Sequence, residues 1–316
     1  MKAFYVNTGL GILCGLVGKT RQAYYEAQWR GEKIQFESSI IVDLVNRERK
    51  VAKRVGGKRL YLILRAELEL HGIQIGRDKF LTILRDNDLL VKRRRRRIQT
   101  TMSRHRLRKY PNIAKDLWID RAEQLWVSDI TYLRIAGKHG YLILITDAYS
   151  RKVVGYNFGK NMDTEFCIVA LENALQQRFF PQRPLMHHSD RGVQYCSKLY
   201  TKTLIVNDIA ISMTENGDPL ENALAERMNR TFKDNFGLDE EFDDFDTAKS
   251  EIAAAIEYYN NRLPHSSIDM LTPNEAHLKI GELKKHWRWY WKEQQNETEL
   301  QKLNEIAPVI SNNSQI

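Results

Sequence analysis

Hydrophobic positions along this chain recur with a helical period up to about residue 90 and with a strand period after Pro111. In the front part, "LGILCGLVGKTRQAYYEAQWR" (10–30) predicts two short helices hinged near Gly18, with Thr20 capping the second. A third helix is expected from Phe36 to Arg54, a fourth from Lys58 to Leu70 after the Gly56–Gly57 break, and a fifth from Arg77 to Asp86. After Pro111, "LWVSDITYLRI" (125–135), "YLILITDAY" (141–149) and "KVVGYNF" (152–158) read as strands joined by short turns, an antiparallel meander. A helix (163–178), a strand (184–190), a helix (197–207) and a strand (209–213) follow, and the run closes with helices over 217–236 and 246–261. The order βββ-α-β-α-β-α predicts a mixed sheet with helices on its faces.

The helix predicted over 217–236 has two distinct sides. Leu220, Leu224, Met228, Phe232 and Phe236 share one apolar arc, and Asn222, Glu226, Asn229 and Lys233 share the other. Taken alone, the polar side reads as a solvated face with a Glu226–Arg230 pair.

Charge changes the picture for the front of the molecule. Residues 1–120 hold 27 Lys and Arg against 12 Asp and Glu, a net +15, whereas the remainder carries −6. A polyanion is therefore expected to dock mainly on the front. The 10–30 region has the rhythm of a helix-turn-helix, though a helical hairpin that merely packs is equally consistent, and the three helices behind it read as a DNA-binding or a protein-binding module. Between them and the strands runs "VKRRRRRIQTTMSRHRLRKYPN", in which Arg93, Arg94, Arg95, Arg96 and Arg97 are uninterrupted. Like charges repel, so this run is expected to be an extended linker that grips phosphates without reading sequence.

Three cysteines, none in zinc or CxxC spacing, give neither a disulfide framework nor a structural zinc and suggest a reducing compartment. The apolar run 9–17 is too short to span a bilayer and leads into no cleavage site, so no signal peptide or membrane segment is expected.

Three carboxylates stand out by position: Asp129 inside the first strand, Asp190 at the end of the fourth, and Glu226 on the helix after the fifth. If the fourth strand lies beside the first, the two aspartates become neighbours and the helix can lay Glu226 across them. Such anions repel one another unless cations neutralise them. Oxygen-only ligands suit Mg²⁺ or Mn²⁺, and paired metals serve phosphodiester chemistry. Three nearby features have plainer readings. Only one of His187 and His188 can face such a site, and a supporting role fits better than ligation. Asp147 is accounted for by turn chemistry, and no nucleophile elbow surrounds Ser189.

The stretches "WVSDITYL", "HHSDRGVQY", "ENALAERMNRTFK" and "YYNNRLPHSSIDMLTP" resemble the integrase-core signatures of insertion-sequence transposases of the IS-three family, relatives of retroviral integrases. "GGKRLYLILRAELELHGIQIGRDKF" is similar to the helical module that precedes that core, and the likeness runs from about residue 10 to 278. It implies an RNase H-like core, a mixed five-stranded sheet with flanking helices, that cleaves transposon ends and joins the 3′-hydroxyl to another DNA. Carried over, Asp129, Asp190 and Glu226 are its catalytic metal-binding triad and Lys233 contacts DNA near the cut. Arg262 and His265 match recurrent positions that either contact DNA or cap and pack the last helix. Glu221 departs from the family's usual aspartate.

Together these readings predict a helical DNA-binding region (1–92), a basic linker (93–120), a catalytic core (121–280) and a tail (281–316). In the tail Lys284, Lys285 and Arg288 alternate with Trp287, Trp289, Tyr290 and Trp291, an arrangement able to stack on bases or to dock on protein. The expected partners are transposon-end and target DNA, further copies of the chain on that DNA, and an upstream-frame helix-turn-helix protein, in a cytoplasmic setting. A non-catalytic DNA-binding regulator and a nuclease of RNA hybrids are the alternatives.

Overall fold

The computed structural model describes residues 8–91, 107–215 and 219–286, with only the backbone at 219 and 220. Arg93 to Arg97 and the tail from residue 287 lie outside the described residues.

Helix α1 (Leu10–Leu16) turns at Gly18, whose φ is +64°, into helix α2 (Arg21–Arg49). Thr20 caps α2 as expected, its hydroxyl accepting from the Ala23 amide at 3.1 Å. The separate helix expected to start at Phe36 is instead the second half of α2. Gly31 is the sole breaker between Arg30 and Phe36 and costs about 1 kcal/mol relative to alanine. Side-chain pairs one turn apart, Gln22–Glu26, Gln28–Glu32 and Lys33–Glu37, carry the helix across it.

Helices α3 (Gly57–Leu70) and α4 (Arg77–Asp86) fold back on the second half of α2. Leu60, Leu64 and Leu68 form the buried stripe of α3 and meet Phe80, Ile83 and Leu84 of α4 and Ile41, Leu44 and Val45 of α2. The same apolar cluster continues without a break into Phe232, Phe236, Ile252, Ile256 and Tyr259. Polar contacts reinforce that seam. The Arg54 amide donates to the Asn235 carbonyl at 2.8 Å, and buried Glu48 accepts from the Tyr258 hydroxyl at 2.5 Å and from Arg262 at 2.9 Å.

The sheet comprises β1 (Leu125–Ile135), β2 (Lys138–Asp147), β3 (Val153–Gly159), β4 (Leu185–Ser189) and β5 (Ile209–Met213) in the order β3-β2-β1-β4-β5. β1 to β3 are antiparallel neighbours, and β1, β4 and β5 run parallel. A sixth, two-residue strand, β6 (Glu241–Phe242), adds to the far end of β1 and is too short to leave a periodic signal in sequence. β2 is buried over nearly its whole length because both sheet faces are covered. On one face lies α5 (Thr164–Gln176), capped by Asp163. Gly155 of β3 permits this approach, since a Cβ there would collide with the Ala170 carbonyl and lie 2.7 Å from the Ala174 Cβ. α6 (Lys198–Val206) packs beside α5, while α7 (Ala223–Phe236) and α8 (Phe245–Arg262) cover the other face. A short helix α9 (Pro273–His277) follows. Among the described residues no helix is long and apolar enough to cross a membrane.

Candidate active site

Strand register brings the two aspartates together. β4 runs parallel to β1 with Val127 opposite His188, so Asp129 and Asp190 each stand two residues beyond the same rung and share its orientation. The Asp190 Oδ1 accepts from the Gly192 amide at 2.9 Å, which fixes that carboxylate just past the strand end. Beneath them both histidines are buried and committed to the protein. His187 Nε2 meets the Ser128 and Tyr200 hydroxyls at 3.1 Å each, and His188 bridges the Ser212 hydroxyl and the Glu221 carbonyl. Burial, helped by the His188 charge, holds the His187 pKa down at about 3, so its ring is neutral.

Helix α7 lies along β1 through two kinds of contact. Met228, Phe232 and Phe236 of the expected apolar arc are buried, with Leu224 partly so. The helix begins at Ala223, later than the pattern suggested, because Pro219–Asn222 forms a 3₁₀ turn ahead of it. Three polar rungs then tie α7 to β1. Asn222 donates to the Ser128 carbonyl at 3.0 Å, Asn229 donates to the Asp129 Oδ2 at 2.9 Å, and the Lys233 ammonium donates to the Thr131 hydroxyl at 2.5 Å. The sequence grouped these side chains with Glu226 on one helix side, but nothing in it announced that Asn222 and Asn229 are buried and orient the strand. Gly237 ends the helix in the left-handed conformation at φ +77°, which glycine adopts without penalty.

The carboxylates feel one another. Burial and then the Asp190 charge push the Asp129 pKa up to about 7, with Glu226 adding a smaller push and the Asn229 and Ile130 N–H groups opposing them. Glu226, exposed on α7, is raised by partial burial and by Asp190, against the pull of Arg230. Burial lowers Lys233, while Asp129 and Asp239 hold its charge in place. Among the described residues no group of three or more His, Cys, Asp or Glu side chains converges closely enough to enclose a metal ion. The donor chemistry nevertheless fits a hard divalent cation. The donors are all oxygen, and a cation would relieve the repulsion that raises Asp129.

The remaining candidates fall elsewhere. Arg262 pairs with buried Glu48, and its guanidinium lies 5.8 Å from the centre of the Tyr258 ring. His265 is only 9% exposed and packs edge-on against Tyr259, the ring centres 4.9 Å apart. Its ring is thus part of the packing around the last turns of α8. Glu221 accepts from the Glu215 amide and so closes the loop before α7. Asp147 does accept from the Ser150 amide and hydroxyl in its turn, but it is also fully buried and receives the Glu123 amide at 2.7 Å. That places it in a polar cluster with Glu123 and His277, residues too far apart along the chain for any spacing to link them.

Integrase core domain models match residues 120–219 and 207–273, the stretch that carries the sheet, both aspartates and α7. An insertion element IS600 uncharacterized 31 kDa protein of Shigella sonnei is 30% identical over 269 residues, which cover 83% of this chain and 96% of that protein. The transposase for insertion sequence element IS629, also of Shigella sonnei, is 30% identical over 66% of this chain and 70% of its own length. The chain belongs to the insertion-sequence transposases with an integrase core. As a transposase it is a polynucleotidyl transferase acting on DNA. Its fold is also similar to the catalytic core domain of HTLV-2 integrase solved in complex with magnesium. That likeness covers 50% of this transposase and 97% of the viral domain, at 18% identity and a TM-score of 0.38. The mixed sheet with flanking helices, behind a helical front region, is the architecture the motifs implied, and the integrase core models span that sheet and α7.

Proposed function

We propose that this transposase cuts the ends of its element and joins the released 3′-hydroxyl to a second DNA, with Asp129, Asp190 and Glu226 as a metal-binding triad. The observation that carries the reading is the parallel register that sets Asp129 and Asp190 side by side across β1 and β4; burial and then the Asp190 charge push Asp129 up to about 7. A fold rarely keeps two acids so close in a half-dry site unless a cation joins them. When bound, Mg²⁺ or Mn²⁺ would activate the attacking water or 3′-hydroxyl and stabilise the leaving oxygen.

The protein's own part is positioning. Asn229 holds one Asp129 oxygen toward α7, the Gly192 amide orients Asp190, and Glu226 supplies the third carboxylate from a surface-exposed turn of the helix. Lys233, beside Asp129, sets a positive charge where a scissile phosphate's neighbour would lie, and a phosphate oxygen would replace the Thr131 hydroxyl as its partner. The Arg93–Arg97 run adds sequence-blind grip. Joining two ends to a target calls for at least two copies assembled on DNA.

Labelled transposon-end duplex incubated with the protein and Mg²⁺ or Mn²⁺ should yield 3′-end nicks or joined products. Asp190→Asn should abolish them while DNA binding persists. The reaction is run with and without the upstream-frame protein, the fusion partner expected for such elements. Equal nicking by wild type and Asp190→Asn would refute the assignment.

A further inference from the structure

On the flank of α7 turned toward α8, Arg59 and Arg151 flank Tyr259 and His265, and Arg227 lies near Arg151. Arg59 stands in the first turn of α3 and has no hydrogen-bond or ion-pair partner among the described residues. Arg151 occupies the β2–β3 turn at φ +65°, a left-handed conformation that non-glycine residues seldom adopt. It is held there by the Tyr259 hydroxyl, which donates to its carbonyl at 3.0 Å. Among the described residues its guanidinium reaches only neutral acceptors, the Ala148 carbonyl at 2.6 Å and the Ser267 hydroxyl at 3.4 Å. Arg227, exposed on α7 next to Glu226, lies close enough to Arg151 to repel it.

Among the described residues the arrangement lacks an anion. Asp147 is the one carboxylate that Arg151 feels appreciably, and its oxygens already serve the Glu123 and Ser150 amides and the Ser150 hydroxyl. Glu48, the nearest buried acid on the helical side, is taken by Arg262, Arg47 and Tyr258. At the floor, the Nε2 of nine-tenths-buried His265 has no hydrogen-bond partner among the described residues, a condition that is destabilising. The charges of Arg59 and Arg151 add to burial in holding that ring neutral, at a pKa of about 3. Like charges kept together without a counter-ion destabilise a fold, so their retention points to a ligand that supplies the negative charge.

We propose that Arg59, Arg151 and Arg227 form a phosphate-binding site for the DNA backbone at the seam of α3, the β2–β3 turn and α7. A guanidinium fork suits phosphate oxygens in two-point contact. Because Arg227 follows Glu226 directly, a strand crossing the first turns of α7 would touch the catalytic carboxylate on one side and this cluster on the other. The helical front region thereby takes part in holding DNA through Arg59, in addition to its basic surface. The inference rests on DNA as the substrate and not on the roles given to the three carboxylates.

The test is fluorescence anisotropy of labelled transposon-end duplex against the full-length protein in chelator, over a salt series. For every phosphate interaction removed, the plot of log affinity against log salt should become shallower by about 0.9. Arg227→Gln, at an exposed position, is expected to show that change, and Arg59→Gln with Arg227→Gln about twice as much. Arg59→Lys should restore most of the slope missing in Arg59→Gln, and Lys202→Gln, an exposed cation on α6, should leave the slope alone. Thermal melting of each variant separates a weakened grip on phosphate from unfolding, and Arg227→Gln decides the matter if Arg59 variants misfold. An unchanged slope in Arg227→Gln, or an equal change in Lys202→Gln, overturns the site. Since no metal or cleavage is involved in this assay, failure here and failure of the triad remain distinct.

Discussion

Glu123→Gln should destabilise the core by about 3 kcal/mol in a pH-dependent way that follows from the groups around the carboxylate. Glu123 is 1% exposed at the entry to β1. Burial alone would raise its pKa, but the His277 ring and the Phe179 and Phe180 amides, at 3.5, 2.6 and 2.9 Å, outweigh burial and bring it from 4.5 to about 2. A carboxylate depressed in the folded state contributes stability that is complete above its unfolded pKa and is lost as pH falls through the folded one. The difference between 4.5 and about 2 corresponds to about 3 kcal/mol at neutral pH. Glutamine loses this charge and turns an N–H₂ toward a backbone N–H or the Arg178 guanidinium. For a chain of this size the melting temperature should drop by about 5 to 10 °C at pH 7. Thermal denaturation of both proteins between neutral pH and acid is the assay. The gap should hold steady down to about pH 4.5 and narrow as the pH is lowered toward 2. A gap under about 2 °C at pH 7, or one that does not narrow in acid, would show that the Glu123 charge does not stabilise the fold.

Two further outcomes are expected. Asn229→Ala removes a hydrogen bond to a charged group, worth about 1.5–3 kcal/mol, so end nicking should slow roughly 10- to 100-fold in single-turnover assays while end binding measured by anisotropy stays put. Replacing Arg93–Arg97 by serines should flatten the salt dependence of DNA binding by up to about 4.5, and an unchanged slope would make the run an inert linker.

Much of the core was legible because each signal was local. β1 and β5 follow the pattern residue for residue, and the Thr20 cap and the apolar arc of α7 stand where their chemistry puts them. The pairing of β4 with β1 was an assumption, and the parallel register now supplies it. What escaped was either non-local or too weak to break a pattern. Gly31 looked like a boundary, yet one glycine does not outweigh the pairs on either side of it. For Arg262 and His265 the sequence left DNA contact and helix packing both open, and only the folded chain shows Glu48, more than two hundred residues earlier, beneath Arg262. The packing of α3 onto α7 and α8, which places Arg59 beside Tyr259, likewise depends on contacts that no spacing encodes.

The proposed chemistry depends on Asp129, Asp190 and Glu226 sharing divalent metal. The decisive experiment is anomalous scattering from crystals of the transposase soaked in Mn²⁺. A peak held by Asp129 and Asp190, with Glu226 turned in toward it, is expected in the wild type and should vanish in Asp190→Asn. Mn²⁺ bound elsewhere, or bound equally well in the Asp190→Asn variant, would disprove the shared site.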